Sequence, residues 1–542
     1  MAAPPGPLGR TGWKRPAAFA FALILLNLSL TFENLWPTPA VTWHGEFSVE
    51  LAVLVIALAL IVRPGRRIAR GVVLATSAIW LLLVLGRYAD VTAPALYGRD
   101  INLYWDIRYV SDVTAMITKA APTMLVVLVA FGVALVLAGL FLAVRWAIAR
   151  VVSAMHDAAE RRIALALAAV LVVCYAAQTI SARVPAVPPF AVPVTATYAH
   201  QASLIRNARA GGRVLAPSPS MDAQLSLVAN TDVFLVFIES YGAVAYDKPE
   251  FNSRLIPSRT ALADAIHDTG RDVVSTFVQS PTFGGSSWFA HISLLSGIEV
   301  RDPDTDALLM TQQRDTLAKA FARNGHRTVG WMPGLKQAWP EGSFYGFDEI
   351  YNAKKLAYSG PEFGWFAIPD QFSFARLDQA EVSAPNRKPL FVFFPTLSTH
   401  TPFSPTPPYQ QDWPKVLSSE PFDPYAVDRA YEEQQQIDWL NLSPNYSNAV
   451  AYAYTVVAGY LRWRLDRDFV MILLSDHQPP ALVSGEGATW DVPVHVIASR
   501  GTERAKVLER LRERGFVDGM TPRHPTLARM HELLPILLKA LS

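Results

Sequence analysis

The sequence contains a single cysteine, Cys174, among 542 residues, so no disulfide can form within the chain. Charged residues are also scarce, at 17%, and the formal net charge is only +2. Basic runs with interleaved aromatic residues are missing, which argues against a nucleic-acid partner. Hydrophobic residues make up 51% of the chain and are concentrated before about residue 183. These features are typical of a membrane protein that carries a separate globular part.

Five apolar segments in the first third of the chain predict transmembrane helices. A helix needs about 20 apolar residues to cross the hydrocarbon core of a bilayer. The second and third segments are shorter than this, so their flanking residues must contribute to the crossing. The five segments are Pro16–Leu35, Val49–Val62, Gly71–Leu85, Met124–Val144 and Ile163–Ile180.

The basic residues between these segments predict the orientation of the chain. Loops rich in Lys and Arg stay on the cytoplasmic side of a membrane. Three such regions alternate with two loops that are poor in net positive charge, so the N-terminus is expected in the cytoplasm and everything after Ile180 outside. We therefore expect a multi-pass protein of the cell (inner) membrane. The basic residues are Arg10, Lys14, Arg15, Arg63, Arg66, Arg67, Arg70, Arg145, Arg150, Arg161 and Arg162.

Two connecting regions have a different composition. Leu96–Thr118 mixes aromatic, apolar and charged residues, which is typical either of an amphipathic helix at the outer membrane interface or of a helix packed on the spans. Ser181–Pro219 is rich in Pro, Ala and Arg and predicts a linker, with a short helix around Tyr198–Ala210. The expected domains are a transmembrane domain over 1–183 with the interfacial helix near 96–118, a linker over 184–221 and an extracytoplasmic catalytic domain over 222–542.

The C-terminal part alternates between strand and helix patterns. Apolar runs rich in β-branched and aromatic residues predict strands, and helical patterns such as Ser258–Thr269, Thr311–Asn324 and Ser447–Leu465 lie between them. This alternation predicts an α/β domain with a mostly parallel sheet and helices on both faces. Active sites in such sheets lie beyond the carboxyl ends of the strands. The predicted strands are Asp232–Ser240, Arg271–Gln279, Arg327–Met332, Pro389–Thr396, Phe469–Asp476 and Val492–Ser499.

Polar residues at two strand ends predict a metal site. Glu239 follows six strongly apolar residues, and Asp476 and His477 end another strand just before two prolines. Adjacent carboxylate and imidazole groups suit one divalent cation. Taken by itself, Glu239 fits a plain strand-end residue equally well.

A third feature is the segment "SPTFGGSSWFAHISLLSG" at 280–297. The turn Gly284–Gly285 is followed by a helix that Ser286 or Ser287 opens, among backbone N–H groups that favour a phosphate. A simple N-cap role for Ser286 is the structural alternative. Because Ser286 is the first residue after the turn, it is expected to face those N–H groups, with Ser287 about 100° further round the helix. Thr282 and Ser287 remain alternative nucleophiles.

These features in this order resemble the alkaline phosphatase superfamily. The resemblance is to its membrane-anchored, sulfatase-like branch, which contains lipoteichoic acid synthases and phosphoethanolamine transferases, and it covers nearly the whole chain. Two departures stand out: Glu341 occupies a position where the lipoteichoic acid synthases have arginine, and the disulfides usual in the phosphoethanolamine transferases cannot form. A true sulfatase is disfavoured because "SSWFAH" lacks the Pro and Arg of the formylglycine motif.

The resemblance implies roles for individual residues. Ser286 matches the nucleophile, and Glu239, Ser286, Asp476 and His477 match the ligands of one divalent metal ion, Mn or Zn. His400 matches a histidine that contacts the substrate phosphate, and Trp339 looks like a tryptophan that lines the substrate pocket.

The expected function is a metal-dependent phosphotransferase. It moves a phosphoryl-alcohol head group, of the glycerol phosphate or phosphoethanolamine type, from a membrane phospholipid to a cell-envelope glycan or lipid acceptor through a phospho-serine intermediate. A phosphodiesterase or phosphatase that hydrolyses an envelope phosphoester is the first alternative. A catalytically silent lipid-binding regulator on the same fold is the second.

Overall fold

A computed structural model describes residues 14–36, 38–62, 69–98, 101–107, 110–180, 190–209, 214–336 and 339–542. The chain divides into two compact units. The N-terminal unit comprises Met1–Leu96, Asp100–Val110 and Thr123–Ala210, and the C-terminal unit comprises Tyr97–Arg99, Ser111–Pro122 and Gly211–Ser542. The predicted basic residues Arg10, Arg63, Arg66 and Arg67 lie outside the described residues.

A helix lies at each of the five positions where the sequence predicts a span. Three of these helices, α3, α6 and α7 below, are long and apolar enough to cross a membrane by length and composition, whereas α2 is apolar but shorter. The elements up to residue 209 are α1 (Lys14–Leu28), β1 (Phe32–Asn34), β2 (Val41–Trp43), α2 (Val49–Ile61), α3 (Arg70–Tyr97), α4 (Leu103–Asp106), α5 (Val110–Ala120), α6 (Thr123–Ala154), α7 (Ala158–Ile180) and α8 (Val194–Arg209).

The third helix extends well past its predicted end at Leu85. It continues to Tyr97 because Arg87 is not a boundary residue: its side chain is buried, forms an ion pair with Glu33 and donates from Nε to the Phe32 carbonyl at 2.9 Å. A paired, hydrogen-bonded guanidinium removes the need for the helix to stop at the first charge. The region near 96–118 contains the end of α3 and the separate helices α4 and α5 rather than one helix, and its position at the membrane interface stays a prediction.

The predicted linker contains a regular element. Helix α8 begins at Val194 and ends at Arg209, which covers the short helix expected around Tyr198–Ala210 and extends it toward the N-terminus. Residues 181–189 and 210–213 of the linker lie outside the described residues.

A nine-stranded sheet forms the centre of the C-terminal unit, in the order β10-β4-β9-β8-β3-β7-β5-β6 with β11 beside β4. The neighbours β3–β7, β3–β8, β5–β6, β5–β7 and β4–β11 are parallel, so the prediction of a mostly parallel sheet is confirmed. The strands are β3 (Asp232–Ile238), β4 (Arg271–Gln279), β5 (Arg327–Met332), β6 (Glu349–Asn352), β7 (Leu390–Pro395), β8 (Phe469–Ser475), β9 (Asp491–Ser499), β10 (Val517–Asp518) and β11 (Ala528–Arg529).

Helices cover both faces of this sheet. Alternate residues of β3 pack into two different hydrophobic clusters, for example Phe234 and Val236 into one and Val233 and Leu235 into the other. A strand that is buried on both faces reads as an unbroken apolar run, which explains why these strands stand out in the sequence. The helices are α9 (Val244–Asp247), α10 (Pro249–Asp268), α11 (Ser287–Ser296), α12 (Pro303–Met310), α13 (Leu317–Arg323), α14 (Ala353–Leu356), α15 (Asp370–Leu377), α16 (Pro424–Gln435), α17 (Ser443–Trp463), α18 (Ala481–Ser484), α19 (Ala505–Arg512) and α20 (Met530–Leu541).

Candidate active site

The parallel register of two central strands brings the predicted metal ligands together. Strands β3 and β8 pair residue by residue up to Ile238 and Ser475, and the next residues are Glu239 and Asp476. Both carboxylates therefore emerge at the same carboxyl edge of the sheet, where the sequence places the site.

The turn after β3 fixes these side chains. Ser240 has a φ of 55°, an unusual value for a residue with a side chain. Its N–H donates to Asp476 Oδ1 at 2.8 Å, and the N–H of Tyr241 donates to Ser475 Oγ at 2.9 Å. Backbone strain of this kind persists where the surrounding structure enforces it, as commonly happens at functional sites.

Glu239, Asp476 and His477, here called the edge cluster, lie close enough to share one ion. One ligand atom from each residue falls within 4.8 Å of the others. His477 Nε2 is 3.3 Å from Glu239 Oε1 and 3.5 Å from Asp476 Oδ2. His477 Nδ1 donates to the Gln478 carbonyl at 2.7 Å, which leaves Nε2 to face the carboxylates. This second hydrogen bond is the usual way in which a metal-binding histidine is oriented.

The ionisable groups of the edge cluster strongly shift one another's pKa values. Burial and the neighbouring Asp476 raise the pKa of Glu239 to about 7. Burial opposes charge on His477, but Asp476 and Glu239 raise the pKa of this imidazole to about 9. Asp476 Oδ2 is buried and accepts no hydrogen bond from any residue that the structure describes. Two carboxylates and an imidazole with one unfilled buried oxygen fit a divalent cation well.

The serine at the edge cluster is Ser287. Its Oγ lies 3.2 and 3.1 Å from the two carboxylate oxygens of Glu239 and 3.3 Å from His477 Nε2. Ser286, the predicted nucleophile, precedes helix α11 with a φ of 62° and makes no side-chain cap hydrogen bond. The geometric expectation is corrected here: the left-handed residue is Ser286 itself, so the first helical side chain to face the cluster is the next one.

The glycine-rich turn is anchored next to the edge cluster. Gly284 has a φ of 66° and donates its N–H to the Gln478 carbonyl at 3.1 Å. Thr282, the other alternative nucleophile, donates its hydroxyl to the Gly285 carbonyl at 2.6 Å and thereby closes the turn. Thr282 thus has a structural partner that accounts for its hydroxyl.

His400 lies in the loop that follows β7 at the same edge of the sheet. Its Nδ1 donates to the Thr401 carbonyl at 2.7 Å, which leaves Nε2 for another partner. Burial lowers the pKa of His400, and the nearby charge of His477 lowers it further. His400 is therefore held as a neutral imidazole close to the edge cluster.

Asp370 positions the His400 loop, a role that no pattern in the sequence indicates. Its carboxylate accepts hydrogen bonds from the backbone N–H groups of Leu397 at 2.7 Å and Ser398 at 3.1 Å. Burial raises the pKa of this carboxyl group to about 6. Only the three-dimensional contact between distant segments reveals it.

His291 is a second residue that sequence reasoning missed. It lies one helical turn after Ser287 in α11, which the spacing in "SSWFAH" would have indicated. The imidazole is 8% exposed and packs 4.6 Å from the Phe237 ring, centroid to centroid. Burial lowers the pKa of His291 to about 4, so this residue is a neutral imidazole near Asp476 and His477.

None of the contacts described above involves Trp339. Its half-buried indole packs 5.2 Å from the ring of Tyr345, in the loop after β5. Burial and the nearby Glu341 carboxylate together raise the pKa of Asp306 to about 6. Glu341 lies in the same loop as Trp339. The substrate-binding role of Trp339 stays a prediction.

Comparison with known proteins supports this reading of the C-terminal unit. Residues 302–502 match the sulfatase family model. No curated protein sequence matches the chain.

Three solved structures illustrate the likeness. Phosphoethanolamine transferase A from Neisseria meningitidis is 13% identical, with coverage of 97% of this chain and 95% of that chain and a TM-score of 0.49. The lipoteichoic acid synthase LtaP from Listeria monocytogenes is 14% identical, with coverage of 56% and 72% and a TM-score of 0.38. The Streptococcus pyogenes phosphoglycerol transferase GacH is 11% identical, with coverage of 61% and 94% and a TM-score of 0.35.

These TM-scores are all below 0.5, so the three structures assign neither substrate nor mechanism. The family model, in contrast, spans the loop of Trp339, His400 and the pair Asp476–His477. The resemblance seen in the sequence is confirmed for the region that the family model matches: residues 302–502 are similar to the sulfatase family, which supports an enzyme of this kind.

Proposed function

We propose that this enzyme transfers a phosphoryl-alcohol head group from a membrane phospholipid to a cell-envelope glycan or lipid acceptor, through a phosphate ester on Ser287. The observation that carries the proposal is the position of Ser287 Oγ within 3.3 Å of both Glu239 and His477. A serine at a helix N-terminus beside metal-binding side chains is arranged to act as a nucleophile.

Glu239, Asp476 and His477 would hold one divalent ion, with Ser287 Oγ as a further ligand. The mixed oxygen and nitrogen donor set suits Mn²⁺ or Zn²⁺. Such an ion supplies positive charge that lowers the pKa of a bound hydroxyl and polarises a phosphate oxygen.

The residues of the chain then account for two displacements at phosphorus. Ser287 Oγ gives up its proton and forms a bond to phosphorus as the bond from phosphorus to the diacylglycerol oxygen breaks, and that oxygen takes up a proton. His400, with its Nε2 unoccupied by protein partners in the described structure, is placed to orient the phosphate or to carry a proton to the leaving oxygen. An acceptor hydroxyl next attacks the same phosphorus, the bond to Ser287 Oγ breaks, and the serine is restored.

The membrane helices support a lipid donor. Three helices are long and apolar enough to cross a bilayer by length and composition, which supports a donor that lies in the membrane. We further propose that five helices cross the inner membrane and that the catalytic domain is extracytoplasmic, as the basic loops indicate. The proposed domains are a transmembrane domain over 1–183, a linker over 184–221 and the catalytic domain over 222–542.

The test uses the two neighbouring serines as matched variants. The full-length enzyme is incubated with phosphatidylglycerol or phosphatidylethanolamine vesicles, and peptide mass spectrometry locates any added mass. We expect the head-group phosphate on Ser287, its loss in Ser287→Ala together with at least about a thousand-fold loss of diacylglycerol release, and retention of both in Ser286→Ala. Added mass on Ser286, or full turnover by Ser287→Ala, would overturn the assignment.

Ser287→Thr is the conservative companion. It keeps a hydroxyl at the same atom and adds one methyl group, so partial turnover is expected. The mass on residue 287 also identifies the donor head group. Transfer is distinguished from hydrolysis by whether an added acceptor changes the rate at which the phosphate leaves.

A further inference from the structure

A cavity opens at the same edge of the sheet as the edge cluster. It has a volume of about 530 Å³. Gln279 ends β4 and Asp491 begins β9, and the two residues face each other across this antiparallel pair. The cavity is lined by an indole, an amide, two carboxylates, a guanidinium and hydroxyl groups, chiefly from Gln279, Thr489, Trp490, Asp491, Arg529 and Glu532.

Backbone hydrogen bonds join this cavity directly to the edge cluster. The N–H of Ser280 donates to the Trp490 carbonyl at 2.8 Å, and the Ser280 hydroxyl donates to the carbonyl of Asp476. On the other side, the N–H of Ala243 donates to the Asp491 carbonyl at 3.0 Å, four residues after Glu239. The lining residues Trp490 and Asp491 are thus connected by hydrogen bonds to the loop after β3 and, through Ser280, to Asp476.

The indole of Trp490 is held in a fixed orientation. The Phe283 ring lies 5.7 Å from it, centroid to centroid, and the Arg301 guanidinium lies 5.6 Å from the indole centroid. Trp490 is half-buried, so part of its apolar surface lines the cavity. A rigid aromatic surface of this kind binds flat apolar faces at little cost in conformational entropy.

The polar groups around the indole favour an uncharged ligand with several hydroxyls. Gln279 is partly exposed at the cavity, so the donors and the acceptor of its amide can reach a ligand. Arg529, the cation among the described lining residues, is paired with Glu299 at 3.2 Å, and Asp491 Oδ2 lies 3.9 Å from His524 Nδ1. A phosphate or an acyl chain therefore fits this lining poorly.

We infer that this cavity binds a neutral sugar residue of the acceptor, with one ring face against Trp490 and hydroxyls on Gln279 and Asp491. The inference rests on the proposed function and names the acceptor class for the same site. In the second half-reaction a sugar hydroxyl oxygen bonds to the phosphorus of phospho-Ser287 and releases its proton. The bond from phosphorus to Ser287 Oγ breaks, and that oxygen takes up a proton.

The experiment measures binding and chemistry separately on the full-length enzyme in lipid nanodiscs. Saturation-transfer NMR reports the binding of methyl glycosides of glucose, galactose, mannose, rhamnose and N-acetylglucosamine. The variants are Trp490→Ala, Trp490→Phe and Gln279→Leu. The matched control is Trp439→Ala, which removes an exposed tryptophan that does not line the cavity.

We expect at least one glycoside to bind wild type and Trp439→Ala equally, and at least about tenfold more weakly to Trp490→Ala, with Trp490→Phe in between. The same glycoside should shorten the lifetime of phospho-Ser287 in wild type but not in Trp490→Ala. Equal binding by wild type and Trp490→Ala, or binding of none of the five glycosides to wild type, would overturn the inference. Absence of phospho-Ser287 in wild type would instead count against the proposed function and leave the binding result standing.

Discussion

Two groups of buried polar side chains begin within two residues of each other at the end of β3, and they are built on opposite principles. The tyrosine cluster consists of Tyr241, Tyr246, Tyr454 and His495. The Tyr241 hydroxyl lies 2.6 Å from that of Tyr454 and 3.1 Å from His495 Nε2, and His495 Nδ1 lies 2.6 Å from Ser275 Oγ. Burial and the nearby positive charge of Arg259 lower the pKa of His495 to about 3, so the four side chains of this cluster are neutral and are paired with one another.

The edge cluster, in contrast, concentrates ionisable groups and leaves one carboxylate oxygen of Asp476 without a hydrogen bond from the described residues. A fully satisfied neutral network stabilises the fold without any further ligand, whereas a charged and unsatisfied one is stabilised when a cation arrives. This difference suggests that the tyrosine cluster stabilises the fold and that the edge cluster binds a metal ion.

The largest effect is expected from Asp476→Asn. This variant keeps the shape of the side chain and removes one negative charge from the edge cluster, so bound divalent metal and at least about a thousand-fold of turnover should be lost. Elemental analysis and diacylglycerol release measure the two losses. As a control, the metal-free variant should still unfold cooperatively but with a lower melting temperature, because the Asp476 charge is paired with His477. Failure of the variant to fold would give Asp476 a structural role instead.

Proton release on metal binding should separate the two clusters next. In the metal-free protein, His477 with a pKa of about 9 and Glu239 with a pKa of about 7 carry protons that a metal must displace. Metal affinity should therefore rise about tenfold per pH unit from 7 to 9, where the His477 proton is displaced, rise more steeply below 7, where Glu239 is also protonated, and level off above 9. Calorimetry in buffers of different ionisation enthalpy counts the protons, and a pH-independent affinity would contradict the expectation.

Tyr454→Phe tests the other side of the comparison. It removes one hydroxyl from the tyrosine cluster while Tyr241 keeps its contacts with Tyr246 and His495. We expect a loss of about 1 kcal/mol in the free energy of unfolding, measured as a lower melting temperature of the C-terminal unit, with metal content unchanged. A lost metal ion in this variant would show that the two clusters act as one.

The smallest effect is expected from Ser286→Gly. The left-handed φ of 62° costs a serine more than a glycine, and the Ser286 side chain makes no cap hydrogen bond. The variant should be as stable as wild type or more stable by up to about 1 kcal/mol, and should retain turnover. A severe loss of turnover would return Ser286 to the centre of the mechanism.

The sequence predicted the sheet well because its strands are buried on both faces. Such strands form unbroken apolar runs, and β4 and β5 have the predicted bounds. The same logic found Glu239, Asp476 and His477, since polar residues directly after a buried strand of a parallel sheet meet at its carboxyl edge.

Features that depend on a backbone angle or on a partner distant in the chain could not be predicted from the sequence. The choice between Ser286 and Ser287 turns on a positive φ at a residue other than glycine, which no local pattern predicts. The extension of α3 depends on the pairing of Arg87 with Glu33, and the role of Asp370 depends on backbone N–H groups of another loop.

The register of β3 beside β8 has a consequence for the timing of synthesis. The hydrogen bond from Ser240 to Asp476 joins residues 236 positions apart. Contacts of such separation form late, and a chain that emerges from its N-terminus first contains Glu239 and Ser287 long before His477. A newly made chain therefore lacks half of the edge cluster until Asp476 and His477 have been synthesised, and under the proposed function it cannot react with a phospholipid before then.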